Sequence, residues 1–199
     1  MTKVIAFMSM SLDGYVADAN DGVDEVFDWY FSGDVEVPTP STASGMTFHV
    51  SAPSAAHLTD LMAEVGAMLT GRRTFERADG WGGQHPWDVP AFVATHKVPD
   101  GWPRAGSTVQ FVTDGIESAV ARAMSAAEPK SVLVHGAQTI QQCLDAGLLD
   151  EIHIDLAAVL LGAGVRLFDH VANAPVVLGN PAVVAGAGVT HLRYPLNRP

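Results

Sequence analysis

Twice in this chain a short apolar run stops at a glycine-containing turn and passes at once into a helical pattern. Ala67-Met68-Leu69-Thr70 leads into Gly71-Arg72-Arg73-Thr74-Phe75-Glu76, and Ser131-Val132-Leu133-Val134 leads into His135-Gly136-Ala137-Gln138-Thr139. A strand that feeds a helix so directly is not half of a hairpin. The helix has to cross back over a sheet, and the next strand then runs parallel to the first. The residues around these junctions fit that scheme. Leu58, Leu61, Met62 and Val65 fall at i, i+3, i+4 and i+7, which marks an amphipathic helix with Gly66 as its stop. Asp114 and Glu117 have the spacing of a capping box before Ala119, Val120, Ala123 and Met124, and Glu128-Pro129 closes that helix.

Further strands are expected at residues 3–10, 90–95, 108–112 and 152–161. The C-terminal part, Val176 through Tyr194, reads as paired strands turned at Gly186-Ala187-Gly188. Together these predict one α/β domain over residues 1–199: a three-layer sandwich with a mixed, mostly parallel sheet, helices on both faces and an antiparallel C-terminal edge. Residues 18–54 are long for a connection and rich in Gly, Asp, Ser, Thr and Pro. The aromatic segment Val26–Phe31 predicts a short helix or turn there, over a pocket or plugged into the core.

Composition narrows the function. Eleven Lys and Arg stand against 22 Asp and Glu, a net charge of −11, which opposes binding to nucleic acid or to an acidic membrane surface. The one cysteine, Cys143, excludes an intrachain disulfide framework and a multi-thiolate zinc site, and fits a reducing, cytoplasmic location. The apolar N-terminal run is too short to span a bilayer and lacks a cleavage site, so it reads as a buried strand. No dinucleotide glycine fingerprint, Walker loop, nucleophile elbow or zinc-deaminase signature is present. His153 and Asp155 share a strand face, but no third ligand lies near them in sequence, so no metal site is expected.

In an open α/β sheet ligands bind at the carboxyl ends of the strands, where helix N-termini present free N–H groups. Gly71-Arg72-Arg73-Thr74 adds two guanidiniums and a hydroxyl to such a start, which suits a phosphate and equally suits a capped helix with solvated arginines. The turn at His135-Gly136 lets backbone approach a ligand. Arg72, Arg73, Arg77, Lys97 and Arg104 are five of the eleven basic residues and lie within one short segment, which offsets the negative field locally.

Taken in order, Ser9-Met10-Ser11-Leu12-Asp13-Gly14-Tyr15-Val16-Ala17, Gly71 to Glu76, Val134-His135-Gly136-Ala137, Ala146 to Glu151 and Val159-Leu160-Leu161-Gly162-Ala163-Gly164 resemble one family over nearly the whole chain. This is the dihydrofolate reductase-like family that includes the reductase domain of the bacterial bifunctional riboflavin-biosynthesis deaminase-reductase. The resemblance implies an NADPH-dependent oxidoreductase acting on a small heterocycle, as a homodimer. It places Ser9 and Met10 beside the nicotinamide, Gly14 with Asp13 in the loop that closes over it, and Gly71, Arg72, Arg73 and Thr74 at the phosphates. Thr95, His96 and Lys97 would meet the adenosine 2′-phosphate, and Gly136, Ala137, Gln138 and Thr139, with His135 before them, would wall the cleft. Where the family commonly has Gly-Gly this chain has His135-Gly136, and a strained or cis peptide is expected there.

Hydride transfer also needs a proton source. Asp13, Asp28 and Asp155 are the candidates: Asp13 by motif, with a purely local turn role as the alternative, and Asp28 by its place after the first loop, with a solvated acid as the alternative. Trp29, Trp81 and Trp87 could stack on a flat ring or anchor loops. Arg166 and Arg104 are the cations available to a phosphorylated substrate. Phosphoribosylaminouracil reduction leads the readings, ahead of dihydrofolate reduction and of a nucleotide-binding module without turnover.

Overall fold

The computed structural model describes residues 2–196. In chain order its elements are β1 (Val4–Ser11), β2 (Tyr15–Ala17), α1 (Asp24–Phe27), β3 (Val35–Pro38), β4 (Thr47–Val50), α2 (Ala52–Glu64), β5 (Val65–Gly71), α3 (Arg72–Arg77), β6 (Ala91–Ala94) and β7 (Val109–Val112). There follow α4 (Ile116–Ala127), β8 (Ser131–His135), α5 (Ala137–Asp145), β9 (Glu151–Ala157), β10 (Val165–Arg166), β11 (Ala182–Ala185) and β12 (Val189–Pro195). Eight strands form one sheet in the order β11-β12-β9-β1-β8-β5-β6-β7. The β9-to-β7 part is parallel throughout, and β12 and β11 join antiparallel at one edge.

Strand alternation divides the core. Val4, Ala6 and Met8 of β1 pack with Ala119, Val120 and Ala123 of α4 and Ile140 and Cys143 of α5 on one face. Ile5 and Phe7 pack with Leu61 of α2 and Phe75 of α3 on the other. Helices therefore cover both faces, and the predicted α/β sandwich is the observed architecture.

Several local expectations are corrected. In residues 18–54 the short helix or turn expected over the aromatic segment is present as α1 and a 3-10 turn at Asp28–Tyr30, whereas the β3–β4 hairpin was concealed by the polar composition. Its Val37 and Phe48 are buried with Trp29, Tyr30 and Leu58 in a third apolar cluster. Gly66 does not stop α2, which ends at Glu64. Gly66 lies inside β5, where an added Cβ would sit 2.4 Å from the Ala127 carbonyl oxygen.

The capping box before α4 does not form. Gly115 is the N-cap, and Asp114 instead takes hydrogen bonds from Ser118 Oγ and Arg122 Nη2. β9 stops at Ala157 rather than Leu161, leaving Leu160 exposed. The His135–Gly136 peptide is not among the cis bonds, all of which precede proline; the departure from ordinary backbone is Gly136 at φ 90°.

Candidate functional site

The two junctions that the sequence singles out are neighbours in space. β5 and β8 are adjacent parallel strands with Thr70 opposite His135, so Gly71 and Gly136 leave the sheet side by side. Each glycine lies against the threonine of the other junction's helix. A Cβ on Gly71 would meet Thr139 Oγ1 at 2.7 Å, and a Cβ on Gly136 would meet Thr74 Oγ1 at 2.7 Å. No side chain fits at either position, and that is the condition for a ligand to approach the backbone closely.

Ala94, opposite Gly71, ends β6 and delivers Thr95, His96 and Lys97 to the same edge, with Thr95 Oγ1 donating to the Lys97 carbonyl at 2.9 Å. Ser9 and Met10 lie near the end of β1, which only β8 separates from β5. Segments 9–10, 71–74, 95–97 and 135–139 thus converge on the C-terminal ends of four consecutive strands. Arg72 is exposed, 3.4 Å from Glu76, and Arg73 pairs with Asp21 in the turn after β2. Exposed guanidiniums flank a pair of junctions that only glycine permits.

Asp13 lies beside this edge. Its carboxylate accepts hydrogen bonds from Ser11 Oγ (2.6 Å), the Leu161 amide (3.1 Å) and the Gly162 amide (2.7 Å), tying the β1–β2 turn to the segment after β9. These bonds, the Ser11 hydroxyl first, hold its carboxyl below the usual aspartate value. Asp28 is not brought in; it is exposed, while its neighbour Trp29 is buried. Ser9 is buried too, and its hydroxyl accepts Trp29 Nε1–H at 3.2 Å, so its side chain turns beneath the tryptophan. Trp29 also stacks on Tyr30 at 3.8 Å, while Trp81 and Trp87 pack edge-on against His85.

Beneath Trp29 lies a polar patch on a buried sheet face. Ser9 of β1 is in register with Asp155 of β9, and Asp155 with His191 of β12, so the three side chains share the face that α2 covers. His191 Nδ1 donates to Asp155 Oδ1 at 2.6 Å, and Ser54 Oγ lies 2.9 Å from His191 Nε2, with Ser51 Oγ donating to Ser54 at 3.0 Å. The His57 ring stacks on His191 at 4.0 Å, with Nε2 3.4 Å from Asp155 Oδ1. Arg193 Nη2 lies 3.3 Å from His57 Nδ1; a guanidinium only donates, so Nδ1 accepts and Nε2 carries the proton.

Asp155 Oδ2 has no partner among the described residues. Burial alone would push its carboxyl up, but the bonds from His191 and His57 outweigh that and hold it below the ordinary value. Burial lowers His57 despite Asp155. Tyr30 is raised well above its ordinary value by burial, with Asp155 adding to it.

Across β1, His135 shares this face, 5.2 Å from the Phe7 ring, and its Nε2 is also without a partner. Burial lowers His135 to about 4, against a smaller opposing pull from Asp155, and lowers nearby His85 to about 3. His153 and Asp155 share a strand face but not a partner: His153 bonds Glu151 Oε2 at 2.7 Å, and the histidines of Asp155 come from α2 and β12. Ser54, His57 and His191 are separated by up to 137 residues, and no sequence spacing foretells their meeting.

His57, Asp155 and His191 also have the composition of a metal site. Their geometry is that of hydrogen bonding. A tetrahedral metal with bonds of about 2.0–2.1 Å keeps its ligand atoms roughly 3.3 Å apart, whereas His191 and Asp155 are at 2.6 Å, and Arg193 opposes the Nδ1–H that a metal-bound His57 would carry.

The sheet order, the antiparallel edge and the glycine cradle define a dihydrofolate reductase-like α/β protein. The chain belongs to the family of the RibD C-terminal domain, whose model matches residues 2–194. A Shewanella sp. PV-4 protein provisionally assigned to riboflavin biosynthesis is 26% identical, with a TM-score of 0.69 over 99% of this chain and 100% of that one.

The Thermotoga maritima diaminohydroxyphosphoribosylaminopyrimidine deaminase/5-amino-6-(5-phosphoribosylamino)uracil reductase is 12% identical with a TM-score of 0.61, and the match covers 98% of this chain and 57% of that protein. Enterococcus faecalis dihydrofolate reductase, in complex with NADP(H), shares the fold at 12% identity and a TM-score of 0.59, over 98% and 97% of the two chains. No curated protein matches the sequence. No helix among the described residues is long and apolar enough to cross a membrane.

Proposed function

We propose that the protein is an NADPH-dependent reductase of a heterocyclic small molecule, most like the 5-amino-6-(5-phosphoribosylamino)uracil reductase of riboflavin biosynthesis. The observation that carries this reading is the crossed pair of glycines and threonines at the ends of β5 and β8, in a chain of the RibD C-terminal domain family. In this reading Gly71 and Gly136 admit the dinucleotide to the backbone. Arg72, Arg73 and Thr74 hold its phosphates, Thr95, His96 and Lys97 take the 2′-phosphate, and Ala137, Gln138 and Thr139 wall the other side.

Bound nicotinamide supplies the hydride; the protein supplies position and field. Arg73, here paired with Asp21, would hold a phosphate oxygen of the bound cofactor. Asp13, with its carboxylate bonded to Ser11 and to two amides, fixes the turn that carries Gly14. Arg166, whose guanidinium lies over the Tyr15 ring at 4.6 Å and donates to its hydroxyl at 3.0 Å, is the cation nearest that turn and is assigned to a substrate phosphate. Arg104 lies over Trp102, packed against α3 and β7, on the far side of the sheet from that turn.

The test is a fluorescence titration with NADPH, followed by loss of NADPH absorbance with the phosphoribosylaminouracil intermediate and with dihydrofolate. Oxidation with the first supports the reading, and oxidation with the second alone reassigns the substrate. NADPH binding with neither oxidation makes the protein a nucleotide-binding module.

A further inference from the structure

We infer that Asp13 is a positioning residue that acts through Arg166: it ties the turn after β1 to the segment after β9 and so aims the guanidinium at an anionic group of the substrate, a phosphate ester. The inference rests on the assignment of Arg166 under the reductase reading. It gives Asp13, a candidate proton source by motif, a different role.

Between Ala157 and Val165 the chain is neither helix nor strand, and Leu160, Gly162, Ala163 and Gly164 are exposed. Such a stretch has little packing of its own to hold it. It lies instead along the turn after β1, bonded at successive points. The Leu12 amide donates to the Val159 carbonyl at 2.9 Å, the Leu161 and Gly162 amides donate to the Asp13 carboxylate at 3.1 and 2.7 Å, and the Leu167 amide donates to the Gly14 carbonyl at 3.0 Å. β10 pairs antiparallel with β2, with Arg166 in register with Tyr15. The fit is close at Gly164, where a Cβ would overlap the Ala17 carbonyl oxygen.

Asp13 makes the side-chain links in this seam. Its Oδ1 takes the Ser11 hydroxyl at 2.6 Å and the Leu161 amide, its Oδ2 takes the Gly162 amide, and Ser11 Oγ in turn accepts the Tyr15 amide at 3.0 Å. All three partners of the carboxylate donate to it, so it is held ionised, and bonds to an ionised acceptor are the stronger kind. What Asp13 holds brackets Arg166. The guanidinium lies over the Tyr15 ring at 4.6 Å, donates to the Tyr15 hydroxyl at 3.0 Å, and has an Nη1 that a Cβ on Gly14 would touch at 3.8 Å. Tyr15 is its hydrogen-bond partner among the described residues, and no carboxylate there pairs with it, so most of its N–H donors remain for a ligand. A planar fork of donors suits the oxygens of a phosphate. An asparagine at position 13 has a single side-chain oxygen, and its amide nitrogen would face a backbone N–H. At least one of the two amide bonds is then lost, and the segment that carries Arg166 is loosened.

The probes are ribose 5-phosphate and ribose, read by calorimetry without cofactor on the wild type, Asp13→Asn, Arg166→Ala and the double variant, with Tm recorded for each. Arg166→Ala should weaken ribose 5-phosphate about tenfold and Asp13→Asn about fivefold, the scale of hydrogen bonds to charged groups. In the Arg166→Ala background Asp13→Asn should cost no more than about twofold, because a residue that acts through the guanidinium has nothing left to act on. Phosphate held elsewhere, at Arg72 or Arg73, is common to all four proteins and drops out of the cycle. Ribose should show no difference among the four. In turnover, Asp13→Asn should move KM for a phosphorylated substrate more than kcat.

Full additivity of the two substitutions overturns the proposal. So does an unaltered ribose 5-phosphate affinity in Asp13→Asn with a lowered Tm, which makes Asp13 a brace of the fold alone, and so does a fall in kcat with KM unchanged, which makes it a catalytic group. If Asp13→Asn fails to fold, Ser11→Ala takes its place, since it removes the hydroxyl that supports both Asp13 and the Tyr15 amide, and an unaltered affinity there overturns the proposal. Wild-type affinity in Arg166→Ala removes the Arg166 assignment and this inference with it. Failure of NADPH to bind overturns the reductase reading only, because the cycle is read on the cofactor-free protein.

Discussion

His135 shows how burying one imidazole becomes a property of the whole fold. Together with His85 it makes stability pH-dependent in a defined direction. Both are lowered in the folded protein, to about 4 and about 3, so between those values and 6.5 the unfolded chain binds more protons and stability falls as pH falls. At about 1.4 kcal/mol per unit, each imidazole costs on the order of 3–5 kcal/mol once pH is below its folded value. Tm measured from pH 7 to 4 should therefore drop steeply, and His85→Asn with His135→Asn should flatten that drop.

Cys143 is the opposite case: burial pushes its thiol up to about 12, so a thiol reagent at pH 8 should leave the native protein unmodified and label it on unfolding. Arg166→Ala should raise KM for a phosphorylated substrate about tenfold or more and leave the dephosphorylated form unaffected, with steady-state kinetics on both as the measurement. Of the residues gathered at the candidate site, the two glycine junctions, being contiguous motifs, were legible in the sequence. Ser54, His57 and His191 were not, because a side chain on a helix and one on a late strand meet only after the sheet has ordered.

At the scale of elements, the strand-glycine-helix junctions were read correctly because their cause is local: an apolar run, a residue free of Cβ, and helical periodicity within a dozen residues. Their mutual contact gives a prediction. Gly71→Ala and Gly136→Ala each place a methyl 2.7 Å from a threonine hydroxyl, and at Gly136 also demand φ 90° of an L residue. NADPH affinity should fall at least tenfold in both by titration, and Gly136→Ala should lose more Tm than Gly71→Ala because its backbone is strained as well.

Misread elements were those whose boundaries tertiary contacts set. Asp114 prefers Ser118 and Arg122 to capping, and Gly66 is drawn into β5 because α4 passes so close behind it. The β3–β4 hairpin is four residues per strand and polar on its open side, too short for alternation to rise above the surrounding glycines and prolines.

At the scale of the molecule, a net charge of −11 is compatible with the polyanion site proposed above because the basic residues near the end of β5 are not spread over the surface. Binding at that site should stabilise the whole fold, since the segments it joins end four strands of one sheet. NADPH at a hundredfold excess over its Kd should add about 2.7 kcal/mol, read as a Tm rise of roughly 5–10 °C that Gly71→Ala diminishes.

By itself the sequence determined the class of fold and its two strand-glycine-helix junctions. Periodicity, glycine placement and clustered arginines are short-range properties, and a mostly parallel sheet leaves few other ways to arrange them. What only the tertiary structure decided is the polar face. Asp155 is an ordinary strand residue until β12 folds back antiparallel to bring His191, and α2 crosses the sheet to bring Ser54 and His57. The hydrogen bonds that hold its carboxylate act over about 3 Å, and contacts of that range between distant segments are set by the packing of strands and helices, which no single stretch of sequence encodes.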